Sequence, residues 1–147
     1  MPYEGTERRA CVRFKIPGAT ASYSTKKLLL ADKDYDEEFC PVADISRGGI
    51  RFLCQKSLER DNNLFIKIRI PGERVPFDIK GKVRWISAYP QKSYKNQVGI
   101  QFNPYGEKED NNYPGILVKI ISLEQKFSMQ EKTTGEKGNE KFEVNDK

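Results

Sequence analysis

The sequence predicts a mainly β protein: a six-stranded antiparallel β-barrel, then a C-terminal amphipathic α-helix and a disordered tail. Three observations predict it. Apolar residues recur at every second position through several short runs, the period of half-buried antiparallel strands. The connections between these runs are short, and about six strands joined that way hide their edges best by closing into a small barrel. After Pro114 the period changes from two to that of a helix.

The elements follow in order. Residues 1–15 read as a flexible, arginine-rich arm, because Arg8, Arg9, Arg13 and Lys15 crowd together and Pro2 and Gly5 discourage regular structure. In "PGATASYSTKK" (17–27), Ala19, Ala21 and Tyr23 alternate with Thr20, Ser22 and Ser24, a strand pattern. "LADKDYDEE" (30–38) reads as an acidic loop. "FCPVADI" (39–45) and "GIRFLC" (49–54) read as two strands around the turn Ser46-Arg47-Gly48-Gly49. In "NLFIKIRI" (63–70), Leu64, Ile66, Ile68 and Ile70 share one face. After the "PGERVP" turn, Phe77, Ile79, Val83 and Trp85 alternate with Asp78, Lys80, Lys82 and Arg84, which assigns Trp85 to the core. "QVGIQF" (97–102) puts Val98, Ile100 and Phe102 together. In "GILVKIISLEQKFSM" (115–129), Ile116, Ile120, Leu123 and Phe127 form a helical stripe, with Leu117 and Ile121 beside it. Residues 16–129 are thus expected to form one barrel-plus-helix unit. Residues 130–147 offer too few apolar groups to offset ordering entropy and read as a disordered tail.

Composition narrows the function. A chain of 147 residues, 37% hydrophobic and 32% charged, suits one soluble domain able to bury a core. No apolar run approaches the ~20 residues that span a bilayer, and the N-terminus lacks a secretory signal's apolar centre, so a cytoplasmic protein is expected. The three cysteines are an odd number without a CxxC pair, which argues against a disulfide framework or zinc site. The chain has no histidine, the commonest general base and metal ligand, so a binding module is expected rather than an enzyme, with no cofactor. Net charge is +5, and because residues 130–147 carry −1 the remainder carries +6, which suits an anionic partner.

Two clusters carry the specific signal. "ERRACVR" sets Arg9 and Arg13 four residues apart with Arg8 in front, and "DISRGG" sets Asp44, Ser46 and Gly49 at fixed offsets on the turn. Each pattern alone is common; both, in this order and around six strands, are not. Together, R-x-x-x-R followed by D/N-x-S-x-x-G resembles the PilZ domain over roughly residues 7–127, and "GKVRW" (81–85) and "VGIQF" (98–102) resemble that family's later strands. The resemblance implies a six-stranded barrel that binds the bacterial second messenger cyclic di-GMP. The interval between Arg13 and Asp44 is long for the family, so the acidic loop at 30–38 reads as an insertion.

The chemistry fits that implication. Guanine presents O6 and N7 as paired acceptors for an arginine fork, a role open to Arg9 and Arg13, as is phosphate binding. Asp44 can accept from N1–H and N2–H on guanine's other edge. Ser46 offers a small hydroxyl, and Gly48 and Gly49 bare backbone N–H groups that a flat, anionic ligand can approach. In PilZ domains an arginine ahead of the motif, here Arg8, accompanies a stacked ligand dimer. Arg47 and Arg51 read as a basic rim. The expected protein is a cyclic di-GMP receptor that changes shape and signals to a downstream protein partner. The alternative is a small basic barrel that binds RNA or single-stranded DNA, disfavoured because its aromatics do not follow a basic groove. A PilZ-like adaptor without ligand is a third reading.

Overall fold

The computed structural model describes residues 12–25, 35–89 and 93–138. Among the described residues six strands, β1 (Thr20–Ser24), β2 (Glu37–Ser46), β3 (Gly49–Cys54), β4 (Asn63–Arg69), β5 (Phe77–Ala88) and β6 (Asn96–Phe102), precede one helix, α1 (Pro114–Gly138). The strands form a closed barrel in the order β1-β2-β3-β6-β5-β4. Every pairing is antiparallel, and β1 against β4 closes the ring. None of these six strands keeps an open edge to recruit another chain, the liability that closure removes.

The period-two residues fill the barrel. Ala21, Tyr23, Ile45, Phe52, Leu64, Ile66, Ile68, Ile79, Val83 and Val98 are all buried. Tyr23 and Phe52 meet with ring centroids 5.7 Å apart, tilted by 31°, within the range of favourable aromatic pairs. β1 departs from simple alternation, because Ser22 and Ser24 are buried as well. The Ser22 hydroxyl accepts the Phe39 amide at 3.0 Å, so its burial leaves no orphaned group.

α1 uses the stripe read from the sequence. Ile120 and Leu123 are buried, and Ile116 and Phe127 pack against the core. Its backbone stays helical past Met129 to Gly138, nine residues into the segment read as a disordered tail. Gln, Glu and Lys there are good helix formers, and their propensity extends the helix where apolar content ends. Residues 139–147 lie outside the described residues.

The N-terminal boundary also differs from the sequence reading. Phe14, assigned to the arm, is buried at 1% exposure. Phe14 and Ile45 exchange two backbone hydrogen bonds of 2.9 Å. The barrel therefore takes hold of the chain from Phe14, one residue after Arg13.

Two bulges decide which side chains reach the outer surface. The β2–β3 register shifts between Val42 and Asp44, and the β5–β6 register shifts between Val83 and Trp85. Each inserts one residue into the alternation and so reverses its phase. Val42 and Val83 face inward, whereas Asp44 and Trp85 stand on the outer face. The assignment of Trp85 to the core is thus corrected: it is 37% exposed.

Candidate ligand-binding site

The turn between β2 and β3 pairs Ser46 with Gly49 across a two-residue loop, Arg47-Gly48. Such loops usually rely on positive φ. Here neither glycine does, since the positive-φ glycines among the described residues are Gly18 and Gly72. The turn is held by bonds instead. The Ser46 hydroxyl accepts the Gly48 amide at 3.2 Å. The Gly48 carbonyl accepts the Phe102 amide at 2.8 Å, and the Arg47 carbonyl accepts the Tyr105 hydroxyl at 2.7 Å. The Arg47 guanidinium reaches α1, with Nε 2.9 Å from Oε1 of Glu124 and Nη2 3.4 Å from its Oε2.

The two glycines differ. A Cβ on Gly49 would lie 2.3 Å from the Ile100 carbonyl oxygen, whereas a Cβ on Gly48 would have nothing within 4 Å. Gly49 is required by the approach of β6 to β3. Gly48 leaves open space above the turn.

Asp44 is the centre of the site. It is 3% exposed, and a buried carboxylate needs charged or hydrogen-bonding partners. Arg13 Nη1 donates to Oδ1 at 2.9 Å. Arg51 donates from Nε to Oδ2 at 2.9 Å, and its Nη2 bonds the same oxygen. The bonds to Asp44 push the Arg51 guanidinium further toward its charged form; burial opposes this and the Asp44 charge adds to it. The Phe14–Ile45 bridge is antiparallel, so its register sets Arg13 opposite Ser46 and diagonal to Asp44, a separation that a long side chain spans.

The register extends the site sideways. Asp44 pairs with Arg51, Arg51 with Gly99, and Gly99 with Trp85. A row therefore crosses four strands on the outer face. The Trp85 ring lies directly on Gly99, where an added Cβ would sit 2.3 Å from the indole. A buried acid between two arginines, an open turn and a half-exposed indole suit a planar ligand with hydrogen-bonding edges and negative charge.

The structure thus brings together Arg13, Asp44, Ser46, Gly48 and Gly49. Arg8 and Arg9 lie outside the described residues. Sequence reasoning missed Arg51 as a partner of Asp44 and Trp85 as a surface residue. The first was legible: with a two-residue turn pairing Ser46 to Gly49, counting back two positions on each side places Asp44 opposite Arg51. The second depended on a bulge with no sequence signature.

A second carboxylate, Glu37, belongs to the fold. It accepts the Tyr23 hydroxyl at 2.6 Å and the Lys56 amide at 2.9 Å on Oε2, and the Gln55 amide at 2.9 Å on Oε1. The sequence reading left it in the acidic loop. Cys40 and Cys54 are free and buried. Burial first, then the Glu37 charge, pushes the Cys54 thiol up to about 12. The same causes, in the same order, raise Cys40. Among the described residues no group of three or more His, Cys, Asp or Glu could hold a metal ion, and no helix is long and apolar enough to cross a membrane.

Comparison with known proteins places this architecture. No curated protein sequence matches the chain. Among solved structures it is similar to the inhibitor of motility MotI/DgrA from Bacillus subtilis, at 20% identity and a TM-score of 0.55, covering 79% of this chain and 49% of that one. It is also similar to YcgR from Escherichia coli in complex with c-di-GMP, at 17% identity and a TM-score of 0.61, covering 88% of this chain and 50% of that one. The chain thus spans about half the length of each of these proteins. At such identities they attest the fold, and the family rests on the sequence itself: the PilZ domain model matches residues 7–113, both motif clusters included, and the chain belongs to the PilZ domain family.

Proposed function

We propose that the protein is a cyclic di-GMP receptor whose ligand lies on the outer face of the barrel at the β2–β3 turn. The observation that carries this reading is the Arg13–Asp44–Arg51 cluster at the motif turn of a PilZ barrel. The similarity to YcgR, a protein seen in complex with c-di-GMP, supports the same ligand class. In this reading Arg9 and Arg13 offer forks to guanine O6 and N7 or to phosphate. Asp44 accepts from guanine's N1–H and N2–H edge. Ser46 contributes its hydroxyl, and the open space at Gly48 admits the ligand to the backbone. Arg8 serves a second, stacked ligand molecule, and the Trp85 indole offers a face for a purine.

The same reading makes the protein a signalling module rather than an enzyme, acting in the cytoplasm without a cofactor. Arg13 already bonds Asp44 before ligand arrives, so binding must rearrange the segment ahead of Phe14. The arm of residues 1–13 then closes over the turn and changes the surface offered to a downstream protein partner. MotI/DgrA, an inhibitor of motility, gives one precedent for a partner pathway.

Calorimetric titration with cyclic di-GMP tests this, with GTP, cyclic GMP and a short oligonucleotide as controls. Binding selective for cyclic di-GMP is expected. Arg13→Ala should weaken it by about 1–3 kcal/mol, roughly 5- to 200-fold. No heat up to sub-millimolar ligand, or preference for the oligonucleotide, overturns the reading.

A further inference from the structure

Among the described residues Asp44 has two arginine partners, and they are held differently. Arg51 stands on β3, directly across the hairpin from Asp44, in a ladder that also includes β6. Its position is fixed by the barrel. Arg13 stands on the segment ahead of β1, one residue outside the Phe14–Ile45 bridge, and its side chain is 51% exposed against 34% for Arg51. The two arginines also use different oxygens, Arg13 taking Oδ1 and Arg51 taking Oδ2.

We propose that Arg51 is the standing counter-ion of Asp44, a positioning residue that lets Arg13 leave the carboxylate for an incoming ligand. With Oδ2 held by Arg51, departure of Arg13 frees Oδ1 in a fixed orientation, ready for donors on the ligand. Without Arg51, the same departure would leave a buried charge uncompensated, which is strongly unfavourable. The role rests on the cyclic di-GMP reading for its ligand step, but the counter-ion itself is a property of the ligand-free protein.

Among the described residues the charges around Asp44 are few. Arg13 and Arg51 bond it. Lys15 follows Phe14 of the antiparallel bridge and so falls opposite Asp44 in that register, and Arg47, three residues after Asp44, bonds Glu124 on α1. β6 has no ionisable side chain, and the one in β1, Tyr23, bonds Glu37.

The test measures chemical stability against pH, without ligand, for wild type, Arg13→Ala, Arg51→Gln and the double variant. Arg13→Ala should keep the wild-type profile, because Arg51 still compensates Asp44. The double variant should lose stability as pH rises from the carboxylate range toward neutrality, since an unpartnered buried carboxyl retains its proton more firmly folded than unfolded. Adding Asp44→Asn should flatten that profile. Should the double variant fail to fold, Arg51→Gln with and without Asp44→Asn carries the same comparison. A profile altered as much by Arg13→Ala as by Arg51→Gln overturns the proposal, as does no pH effect in either Arg51 variant.

A second arm reads cyclic di-GMP affinity. Arg51→Gln should weaken it at least tenfold, and Arg51→Lys, which keeps the charge, should recover most of the loss. Failure of Lys to recover it would make the Arg51 fork a direct ligand contact and overturn the positioning role. Wild-type protein that shows the expected pH profiles but no binding retains Arg51 as counter-ion and rejects the ligand instead.

Discussion

Replacing Gly49 by alanine separates the part of the D-x-S-x-x-G motif that builds the barrel from the part that faces a ligand. The new Cβ would start 2.3 Å from the Ile100 carbonyl oxygen. That oxygen is main chain, so it cannot rotate away, and β3 must part from β6 by roughly an ångström to restore ordinary contact. Overpacking of this kind costs about 1–3 kcal/mol. Loosening of one neighbouring bond, such as Phe102 N–H to the Gly48 carbonyl at 2.8 Å, adds about 1 kcal/mol. A total near 2–4 kcal/mol is expected in urea unfolding followed by circular dichroism. Gly48→Ala is the control, with open space at its Cβ and an expected change within about 0.5 kcal/mol. Equal stabilities for the two variants would refute the reasoning that β6, and not the ligand, demands a glycine at 49.

Glu37→Ala should destabilise by about 1–3 kcal/mol, because the buried Tyr23 hydroxyl loses its acceptor; adding Tyr23→Phe should return part of that loss in urea midpoints. The Cys54 thiol, raised from 9.0 to about 12 in the folded protein, contributes stability that is full below the unfolded value and is lost as pH climbs from about 9 through the folded value. Unfolding midpoints should therefore fall over that range, less so in Cys54→Ala, and Cys40 and Cys54 should resist a thiol reagent until the protein unfolds. The arginine ahead of the motif predicts two cyclic di-GMP molecules per chain by calorimetry; a stoichiometry near one, unchanged in Arg8→Leu, would reject the stacked pair.

Most of the barrel was legible in the sequence because its signal is local. Leu64, Ile66, Ile68 and Ile70 need only the pleat to share a face, and all four are buried. The helix stripe through Ile120 and Leu123 is local too. What escaped depends on non-local geometry. Trp85 follows Phe77, Ile79 and Val83 in strict alternation, and only the bulge opposite Gly99 turns it outward. Phe14 looks like part of a polar arm until Ile45 is found beside it. Glu37 sits among other acids, and nothing in the chain marks it as the one that Tyr23 and two amides converge upon. At the candidate site, the motif located Asp44 and Ser46, but their partners belong to register. Asp44 could be matched to Arg51 by counting across the turn, whereas the row on to Gly99 and Trp85 required the barrel order.

Amide chemical-shift mapping by NMR during a cyclic di-GMP titration tests the central claim most directly, because it reports both whether the ligand binds and where. The account predicts changes concentrated at Arg13, at Asp44 to Arg51, and at Gly99 with the Trp85 indole N–H, the row that crosses β2, β3, β6 and β5. Shifts confined to the basic strand face carrying Lys80, Lys82 and Arg84, or no shifts at saturating ligand, would contradict it.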